Sequence, residues 1–345
     1  MFVRWQGQEI GQEEQGRLPG YQDAVVRHFD APEALGTRFY EVHAKSALNH
    51  VPERSRVPFP WTVNPYRGCS HACTYCFARP THEYLDLGAG RDFEREIVVK
   101  VNVPEVLRAE LARPSWKGEH VALGTNTDPY QWVEGRYELM RGVWETMRDF
   151  ANPCSILTKS PLLLRDKDLL LQIAERTRIS ACLSVPTLDE KMWRSTEPHT
   201  PHPRARLEAV AELNRIGIPT GILIAPLMPG INDGPGQVER IIELAEAAGA
   251  TSIGGQALFL RGSTRDVFFD WLRAKRPDLL ERYEALYRKG AYLPAAERRR
   301  VEARLPGRLR ADDGFERFKR PRQPPAPAPP RPPPKREEVR QTTLF

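Results

Sequence analysis

From about residue 58 onward, short apolar runs rich in β-branched residues alternate with longer stretches whose apolar residues recur at helical spacing. The predicted strands cover residues 61–64, 121–124, 155–158, 179–185, 220–225 and 252–259, with a further short strand over 96–101. The predicted helices cover 104–113, 138–150, 166–176, 204–216 and 236–248. Near-continuous apolar strands such as ACLSV and GILIA are typical of parallel sheets covered on both faces. About six βα units predict an α/β barrel or an open part of one, with functional residues at the carboxyl ends of the strands.

Four regions are expected along the chain. Residues 1–57 form an N-terminal extension with one or two short elements, and residues 58–265 form the barrel region. Residues 266–310 form a C-terminal helical segment that is kinked or split at Pro277. Residues 311–345 form a basic, proline-rich tail, in which nine of the fourteen positions 321–334 are proline. That tail is predicted to be an extended polyproline II spacer that presents the last residues.

The positive charge is concentrated near the C-terminus. The whole chain has a net charge of +6, and residues 298–345 carry fourteen Lys and Arg against six Asp and Glu, a net +8. A basic segment of this kind attracts polyanions such as nucleic acid, although it also serves simply as a solvated tail. Because no long apolar run and no signal-peptide pattern is present, we expect a cytoplasmic protein with no membrane span.

Three of the five cysteines, Cys69, Cys73 and Cys76, lie in the stretch NPYRGCSHACTYCFARPTH with the spacing C-x3-C-x2-C. Thiolates suit iron–sulfur clusters and zinc, and an odd, clustered set of cysteines in a reducing compartment argues against disulfides. His71 and His82 could complete a zinc site, but structural zinc usually takes two close pairs of ligands. Three thiolates on a four-iron cluster leave one iron open for another ligand.

This loop, with the segments GTNTDPYQ, ILTKS and LSVPTLDEKMW, resembles the radical S-adenosylmethionine superfamily over residues 58–265, and in particular its spore photoproduct lyase-like branch. The resemblance implies an enzyme with a partial (β/α)6 barrel of the radical SAM type. It implies a [4Fe-4S] cluster on Cys69, Cys73 and Cys76 whose open iron is chelated by S-adenosylmethionine. It further implies reductive cleavage of that cofactor to a 5′-deoxyadenosyl radical, with electrons from a separate donor.

By the same resemblance, residues near the strand ends contact the cofactor. Tyr75 would lie against the adenine, the loop of Thr125 and Asp128 would meet the amino group, and Lys159 and Ser184 would hold the carboxylate or ribose. Arg206 could pair with the carboxylate, and Ala225, expected to end its strand, would let the backbone approach the adenine. Four of them have a simpler alternative: ordinary packing for Tyr75, a solvated lysine for Lys159, a helix-surface salt bridge for Arg206 and a plain turn around Ala225.

The substrate is less constrained. In the lyases that name the branch, a cysteine hydrogen donor precedes the aspartate of the second-strand loop, whereas this chain has Thr125, Asn126 and Thr127 there. Cys154 and Cys182 are expected to be core residues. We therefore expect a radical enzyme that acts on DNA in a repair-like reaction, without the lyase's hydrogen-return path. The alternatives are modification of RNA or protein, or a non-catalytic, zinc-stabilised nucleic-acid adaptor.

The chain ends in QTTLF, which resembles the peptide that docks bacterial repair and replication proteins to the DNA sliding clamp. In that resemblance Gln341 supplies hydrogen bonds, while Leu344 and Phe345 fill an apolar pocket. The alternative is a tail that folds back onto the domain. The sliding clamp is therefore a predicted partner, together with nucleic acid and an electron donor.

Overall fold

The computed structural model describes residues 9–13, 18–19, 21, 23–32, 34–52, 55 and 57–305. The strands are β1 (Glu9–Glu13), β2 (Val25–Phe29), β3 (Arg38–Val42), β4 (Leu48–His50), β5 (Trp61–Val63), β6 (Tyr66–Arg67), β7 (Glu96–Lys100), β8 (Val121–Leu123), β9 (Cys154–Thr158), β10 (Ile179–Ser184), β11 (Thr220–Leu227) and β12 (Ile253–Ala257). The α-helices are α1 (Arg91–Arg95), α2 (Val103–Leu111), α3 (Glu134–Tyr137), α4 (Leu139–Asp149), α5 (Lys167–Ala174), α6 (Glu190–Thr196), α7 (Pro203–Arg215), α8 (Gln237–Ala247), α9 (Thr264–Lys275), α10 (Leu280–Tyr287) and α11 (Ala295–Glu302). Short 3-10 helices cover Arg79–Leu85, Pro161–Asp166 and Pro277–Leu279.

The larger sheet has the strand order β12-β11-β10-β9-β8-β5-β4. From β5 to β12 all neighbours are parallel and follow chain order, and β4 adds an antiparallel strand at one edge. Helices connect these strands, as parallel pairing requires. The α/β prediction is thus confirmed, with β4 and β12 as the two edges of the sheet.

The core lies between this sheet and the helices around it. Strand residues such as Leu123, Leu183 and Ile222 are almost fully buried, which explains their continuous apolar runs. The helices contribute one face each, as α4 does with Val143 and Trp144. Because both faces of the parallel strands are covered, the polar residues that remain available for function lie at the strand ends.

A second sheet, ordered β1-β2-β3-β7-β6, is built partly from the N-terminal region. β3 runs parallel to β7, and the Arg38 guanidinium binds the Glu96 carboxylate across the pair with two 2.8 Å bonds. In its described residues the N-terminal extension therefore contains four strands rather than one or two short elements. β1, β2 and β3 share this sheet with β6 and β7, and β4 belongs to the larger sheet. These strands escaped prediction because short segments such as VVRHF and RFYEV lack a clean alternation of apolar and polar residues.

The C-terminal segment is split at Pro277, as predicted, into α9, a 3-10 turn and α10. Phe268 and Tyr283 pack together with ring centroids 5.6 Å apart and are fully buried. In the part of the chain that the structure describes, every helix is too short or too polar to cross a membrane. The predicted proline-rich tail and its terminal residues Gln341, Leu344 and Phe345 lie outside the described residues.

Candidate functional site

The cysteine loop follows β5 and β6 and is tied to its surroundings by its own backbone. Gly68 has a φ of +83°, and a Cβ there would lie 2.8 Å from the His82 ring. The Cys69 amide donates to the Phe93 carbonyl at 2.9 Å, and the Cys76 amide donates to the Cys73 carbonyl at 3.3 Å. The three thiols thus sit on a folded loop at the carboxyl end of the first parallel strand.

Arg79 fixes the shape of this loop, a role that we did not predict. The side chain is fully buried, and its guanidinium donates to the carbonyls of Ala72 (3.1 Å), Cys73 (3.0 Å) and Ala89 (2.8 Å) and to the Glu94 carboxylate (2.6 Å). A tightly turning loop leaves carbonyls without partners, and one arginine satisfies several of them. The available signal was its place in the sequence, three residues after the last cysteine of the loop.

The donor set fits an iron–sulfur cluster. Cys69 and Cys73 are buried and Cys76 is partly buried. Burial raises the pKa of Cys73 well above its usual value and, with Cys69 nearby, that of Cys76 to about 11, so a bound cation would favour ionisation of these two thiols. Several buried polar atoms around the loop have no hydrogen-bond partner among the described residues: Asn64 Oδ1, Ser70 Oγ, Thr74 Oγ1, His82 Nδ1 and Ser263 Oγ. Such a concentration of unpaired polar atoms indicates a place where a ligand binds.

The histidines are placed less well for a single zinc ion. His82 donates through Nε2 to the Glu96 carbonyl at 2.8 Å, and His71 Nδ1 faces Asp128 Oδ2 at 3.4 Å. Within the described ranges, no three Cys, His, Asp or Glu side chains converge to chelate one ion. A four-iron cluster does not require such convergence, since each thiolate binds a different iron.

Asp128 joins the ends of β8 and β9. Its carboxylate accepts from the Thr158 hydroxyl at 2.6 Å, the Lys159 amide at 2.7 Å and the Tyr130 amide at 2.9 Å. Although burial opposes ionisation, His71 and these hydrogen bonds lower the pKa of Asp128, so it remains charged. Thr125, half-buried, lies in the same loop. The loop of Thr125 and Asp128 thus lies beside the cysteine loop. The Asp128 carboxylate links the end of β8 to the end of β9.

The loop of Thr125 and Asp128 begins at Gly124, where the backbone passes close to the backbone of β9 at Leu157. Gly124 has a φ of +74°, and a Cβ there would lie 1.9 Å from the Leu157 carbonyl oxygen. No L side chain fits without moving β9. Glycine at this position therefore sets how closely the two strand ends can stand.

Five side chains from different elements form what we call the rim cluster: Tyr75, Lys159, Ser184, Glu197 and Arg206. The Lys159 ammonium lies 2.8 Å from a Glu197 carboxylate oxygen, donates to the Ser184 hydroxyl at 2.7 Å, and stands 5.7 Å from the centre of the Tyr75 ring. Arg206 contacts the other Glu197 oxygen at 2.8 Å, and the Tyr75 hydroxyl bonds to Glu197 as well. Glu197 is therefore the centre of the cluster, and our predicted set of site residues omitted it.

The rim cluster carries a surplus of positive charge. Burial opposes ionisation of Glu197, but Arg206 and Lys159 lower its pKa to about 2. One carboxylate thus faces two cations, and a second carboxylate supplied by a ligand would balance the charge. The solvated alternative for Lys159 is wrong, because its side chain is 15% exposed and paired.

Arg206 is also not a helix-surface residue. Its side chain is fully buried, and the guanidinium donates to the carbonyls of Ser184 and Pro201 and to the Thr200 hydroxyl at 2.6–2.9 Å. Little of the guanidinium is left to bind a ligand. Its contacts support a positioning role, in which Arg206 holds Glu197 and the end of β10 in place.

Ala225 does not end its strand. β11 continues to Leu227, which pairs with Ala257 after an irregularity in the register that follows Ile224. Pro226 lacks an amide donor, and the irregularity in the register accommodates that loss within the strand. The Ala225 carbonyl accepts from the Ser184 hydroxyl at 3.3 Å, so this backbone does border the rim cluster.

The two remaining cysteines differ from each other. Cys154 is buried in the core, as predicted. Cys182 is only partly buried and lies two residues before Ser184 on β10, hence on the same face of the sheet. The core assignment is therefore correct for Cys154 and incomplete for Cys182.

Comparisons with known proteins concern the family and the fold of the chain. A sequence profile described as Radical SAM superfamily matches residues 63–245. An uncharacterized protein of Mycobacterium tuberculosis is 46% identical over 308 residues, which cover 88% of this chain and 91% of that protein. The fold is similar to a spore photoproduct lyase complexed with dinucleoside spore photoproduct, with a TM-score of 0.56, 14% identity, and coverage of 81% of this chain and 78% of that one. It is also similar to a doubly substituted spore photoproduct lyase with bound AdoMet and dinucleoside spore photoproduct, with a TM-score of 0.53, 15% identity, and coverage of 81% and 77%.

Proposed function

The chain belongs to the Radical SAM superfamily of enzymes, and on that premise we propose that Cys69, Cys73 and Cys76 hold a [4Fe-4S] cluster and that the adjacent rim cluster binds S-adenosylmethionine. When bound, this pair supplies an electron and a 5′-deoxyadenosyl radical that abstracts hydrogen from a substrate. The observation that carries the proposal is the position of three thiols on a folded loop next to a buried group with surplus positive charge.

In this proposal each side chain of the rim cluster has a distinct task. Lys159 is held by Glu197 and Ser184 at a strand end, where its ammonium can turn to a ligand carboxylate. Tyr75 offers a ring face whose orientation is fixed by the bond from its hydroxyl to Glu197. Arg206 positions Glu197, and burial of the whole group keeps water away from the reacting atoms. The loop of Thr125 and Asp128 and the Ala225 backbone complete the cofactor contacts.

For the substrate we propose nucleic acid, with DNA favoured. The support is the net charge of +6, which is concentrated in residues 298–345, together with the spore photoproduct lyase fold, one solved example of which holds a dinucleoside lesion. A polyanion is drawn to such a charge distribution. Because Thr125, Asn126 and Thr127 stand where the lyases carry their cysteine, the proposed reaction is radical-initiated but does not return hydrogen from that position.

Anaerobic reconstitution tests the cofactor assignment. The wild-type protein should take up iron and sulfide and convert S-adenosylmethionine to 5′-deoxyadenosine when reduced. Cys154→Ala should do the same, because Cys154 begins β9, at the opposite end of the parallel strands from the loop. Uptake of zinc without cluster formation would contradict the proposal and favour the zinc-stabilised adaptor.

The substrate and partners need separate experiments. Incubation with damaged DNA, undamaged DNA, RNA and peptide, with 5′-deoxyadenosine and label transfer as readouts, separates the substrate classes. Turnover stimulated by RNA or peptide alone would contradict the DNA assignment while leaving the cofactor assignment intact.

We also propose that Gln341, Leu344 and Phe345 bind the sliding clamp of a cytoplasmic replication system. Fluorescence anisotropy of a peptide spanning residues 331–345, with Phe345→Ala as its matched variant, tests this. Equal binding of both peptides would contradict it.

A further inference from the structure

A row of aromatic rings lies at the surface next to the cysteine loop. Phe77 directly follows Cys76, and its ring centroid is 5.9 Å from that of Phe259. Phe259 in turn stacks on Tyr292, with centroids 5.8 Å apart and planes 26° apart. Phe77 is 49% exposed and Tyr292 is 55% exposed. We call these three residues the aromatic row.

The row is attached to the loop that carries the thiols. The Thr264 hydroxyl donates to the Cys76 carbonyl at 2.9 Å, and a Cβ at Gly262 would lie 3.3 Å from Pro80. The Leu260 amide donates to the Ala291 carbonyl at 2.8 Å, which brings the segment of Tyr292 alongside that of Phe259. The row therefore has a fixed position beside the third cysteine, at the carboxyl end of β12.

The chain around the row is basic. Residues 258–265 (LFLRGSTR) and 287–294 (YRKGAYLP) contain four Lys and Arg and no Asp or Glu. Of these, Arg261, Arg288 and Lys289 are exposed. Exposed aromatic rings beside clustered cations are costly to keep without a binding role, since both hydrophobic exposure and self-repulsion count against them.

We propose that the aromatic row, with Arg261, Arg288 and Lys289, binds an unstacked stretch of nucleic acid whose bases lie on the rings and whose phosphates meet the cations. This rests on the proposed function, in which the substrate is nucleic acid. Aromatic faces interleaved with cations are the usual means of holding single-stranded nucleic acid, because every base has a π-face. The position matters for chemistry, since enzymes that act on a base take it out of its stack, and this surface receives it next to Cys76.

Fluorescence anisotropy with the reconstituted full-length protein tests the proposal. The probes are labelled oligo-dT, the matching oligo-U and a duplex of equal length. Tyr292→Ala should bind the single strands roughly 5- to 150-fold more weakly, the range for losing one stacked base. Tyr292→Phe should bind like wild type, because it keeps the ring. Tyr84→Ala is the matched control, since Tyr84 is 80% exposed and lies outside the row.

The cations should behave differently from the ring. Arg261→Gln and Lys289→Gln should each weaken binding of single strand and duplex alike and lower the salt dependence by about one charge. Iron content and melting temperature, measured for every variant, identify any that fail to fold. Comparing single strand with duplex then separates the two contributions. Tyr292→Ala should remove base stacking on the ring, but it should leave the attraction between phosphates and cations.

Three results would overturn the proposal in distinguishable ways. If wild type binds nucleic acid and Tyr292→Ala binds it equally well, the surface is wrongly assigned and the proposed function stands. If wild type binds neither DNA nor RNA, the surface and the nucleic-acid substrate fall together. If Tyr292→Ala leaves binding unchanged but slows cluster reduction by reduced flavodoxin, the surface docks an acidic electron donor.

Discussion

Two buried glutamates of this protein have matching partners but pKa values shifted in opposite directions. Glu197 in the rim cluster and Glu134 at the start of α3 are both fully buried, and each is bonded to one tyrosine hydroxyl and one guanidinium. The pKa of Glu197 is lowered to about 2, whereas burial raises the pKa of Glu134 to about 7. Burial and hydrogen bonding alone therefore do not decide the charge of a carboxylate.

The two glutamates differ in the number of cations that lie next to each carboxylate. Glu197 meets a second cation, Lys159, at 2.8 Å. The guanidinium that binds Glu134 is that of Arg165. It also binds Asp166 at 2.7 Å, so two carboxylates share one cation. The rim cluster has two cations for one carboxylate. Glu134, Asp166 and Arg165, with Arg141 3.5 Å from Asp166, form what we call the inner cluster, which has no surplus of cations. A surplus of cations at a strand end supports the proposed ligand site, whereas the inner cluster links α3 to the 3-10 helix of residues 161–166.

The largest effect should come from removing the proposed cluster ligands, which lie next to the rim cluster. Cys69→Ala, Cys73→Ala or Cys76→Ala should each abolish 5′-deoxyadenosine formation, because each removes one of three thiolates from the proposed cluster. The measurement is product formation in anaerobic assays with chemical reductant. Continued turnover by any of the three would show that the ligand assignment is wrong, and Cys154→Ala serves as the control.

Neutralising the two glutamates tests the comparison directly. Glu197→Gln leaves two buried cations without a carboxylate and should lower the free energy of unfolding by about 3–5 kcal/mol. Glu134→Gln resembles the protonated form already favoured below pH 7 and should cost less than about 1 kcal/mol at pH 6. Urea unfolding at pH 6 measures both. Equal losses would mean that the two clusters do not differ in charge balance.

Lys159→Met should separate ligand binding from stability. Losing a charged hydrogen-bond donor should weaken S-adenosylmethionine binding about 10- to 100-fold, while the protein remains folded. Equilibrium dialysis with labelled cofactor gives the affinity. Arg141→Met is the matched control, because Arg141 pairs with Asp166 of the inner cluster from the surface. Loss of affinity in both variants would point to a general structural effect.

The smallest effect concerns pH. The folded-state pKa of Glu134 lies above its unfolded value of 4.5, so its proton stabilises the fold fully below pH 4.5 and progressively less as pH rises through 7. Wild type should therefore lose about 1–2 kcal/mol relative to Glu134→Gln between pH 5.5 and 7.5. Thermal melts of both proteins across this range measure the difference. A constant difference would mean that Glu134 does not titrate there.

Periodicity and local chemistry were sufficient to predict much of this molecule. The parallel strands, the split at Pro277 and the cysteine loop each depend on residues close together in sequence. The rim cluster does not: Lys159 and Glu197 come from different βα units, and their meeting depends on how the strand ends are placed. Arg206 was expected to face the cofactor because its burial, which depends on tertiary packing, could not be read from α7 alone.

The contacts of Arg79 have a consequence for how the cysteine loop would receive a cluster. This side chain ties the loop carbonyls of Ala72, Cys73 and Ala89 to one buried guanidinium. In the proposed holoenzyme, a loop ordered in this way would lower the cost of fixing the backbone when a cluster is bound.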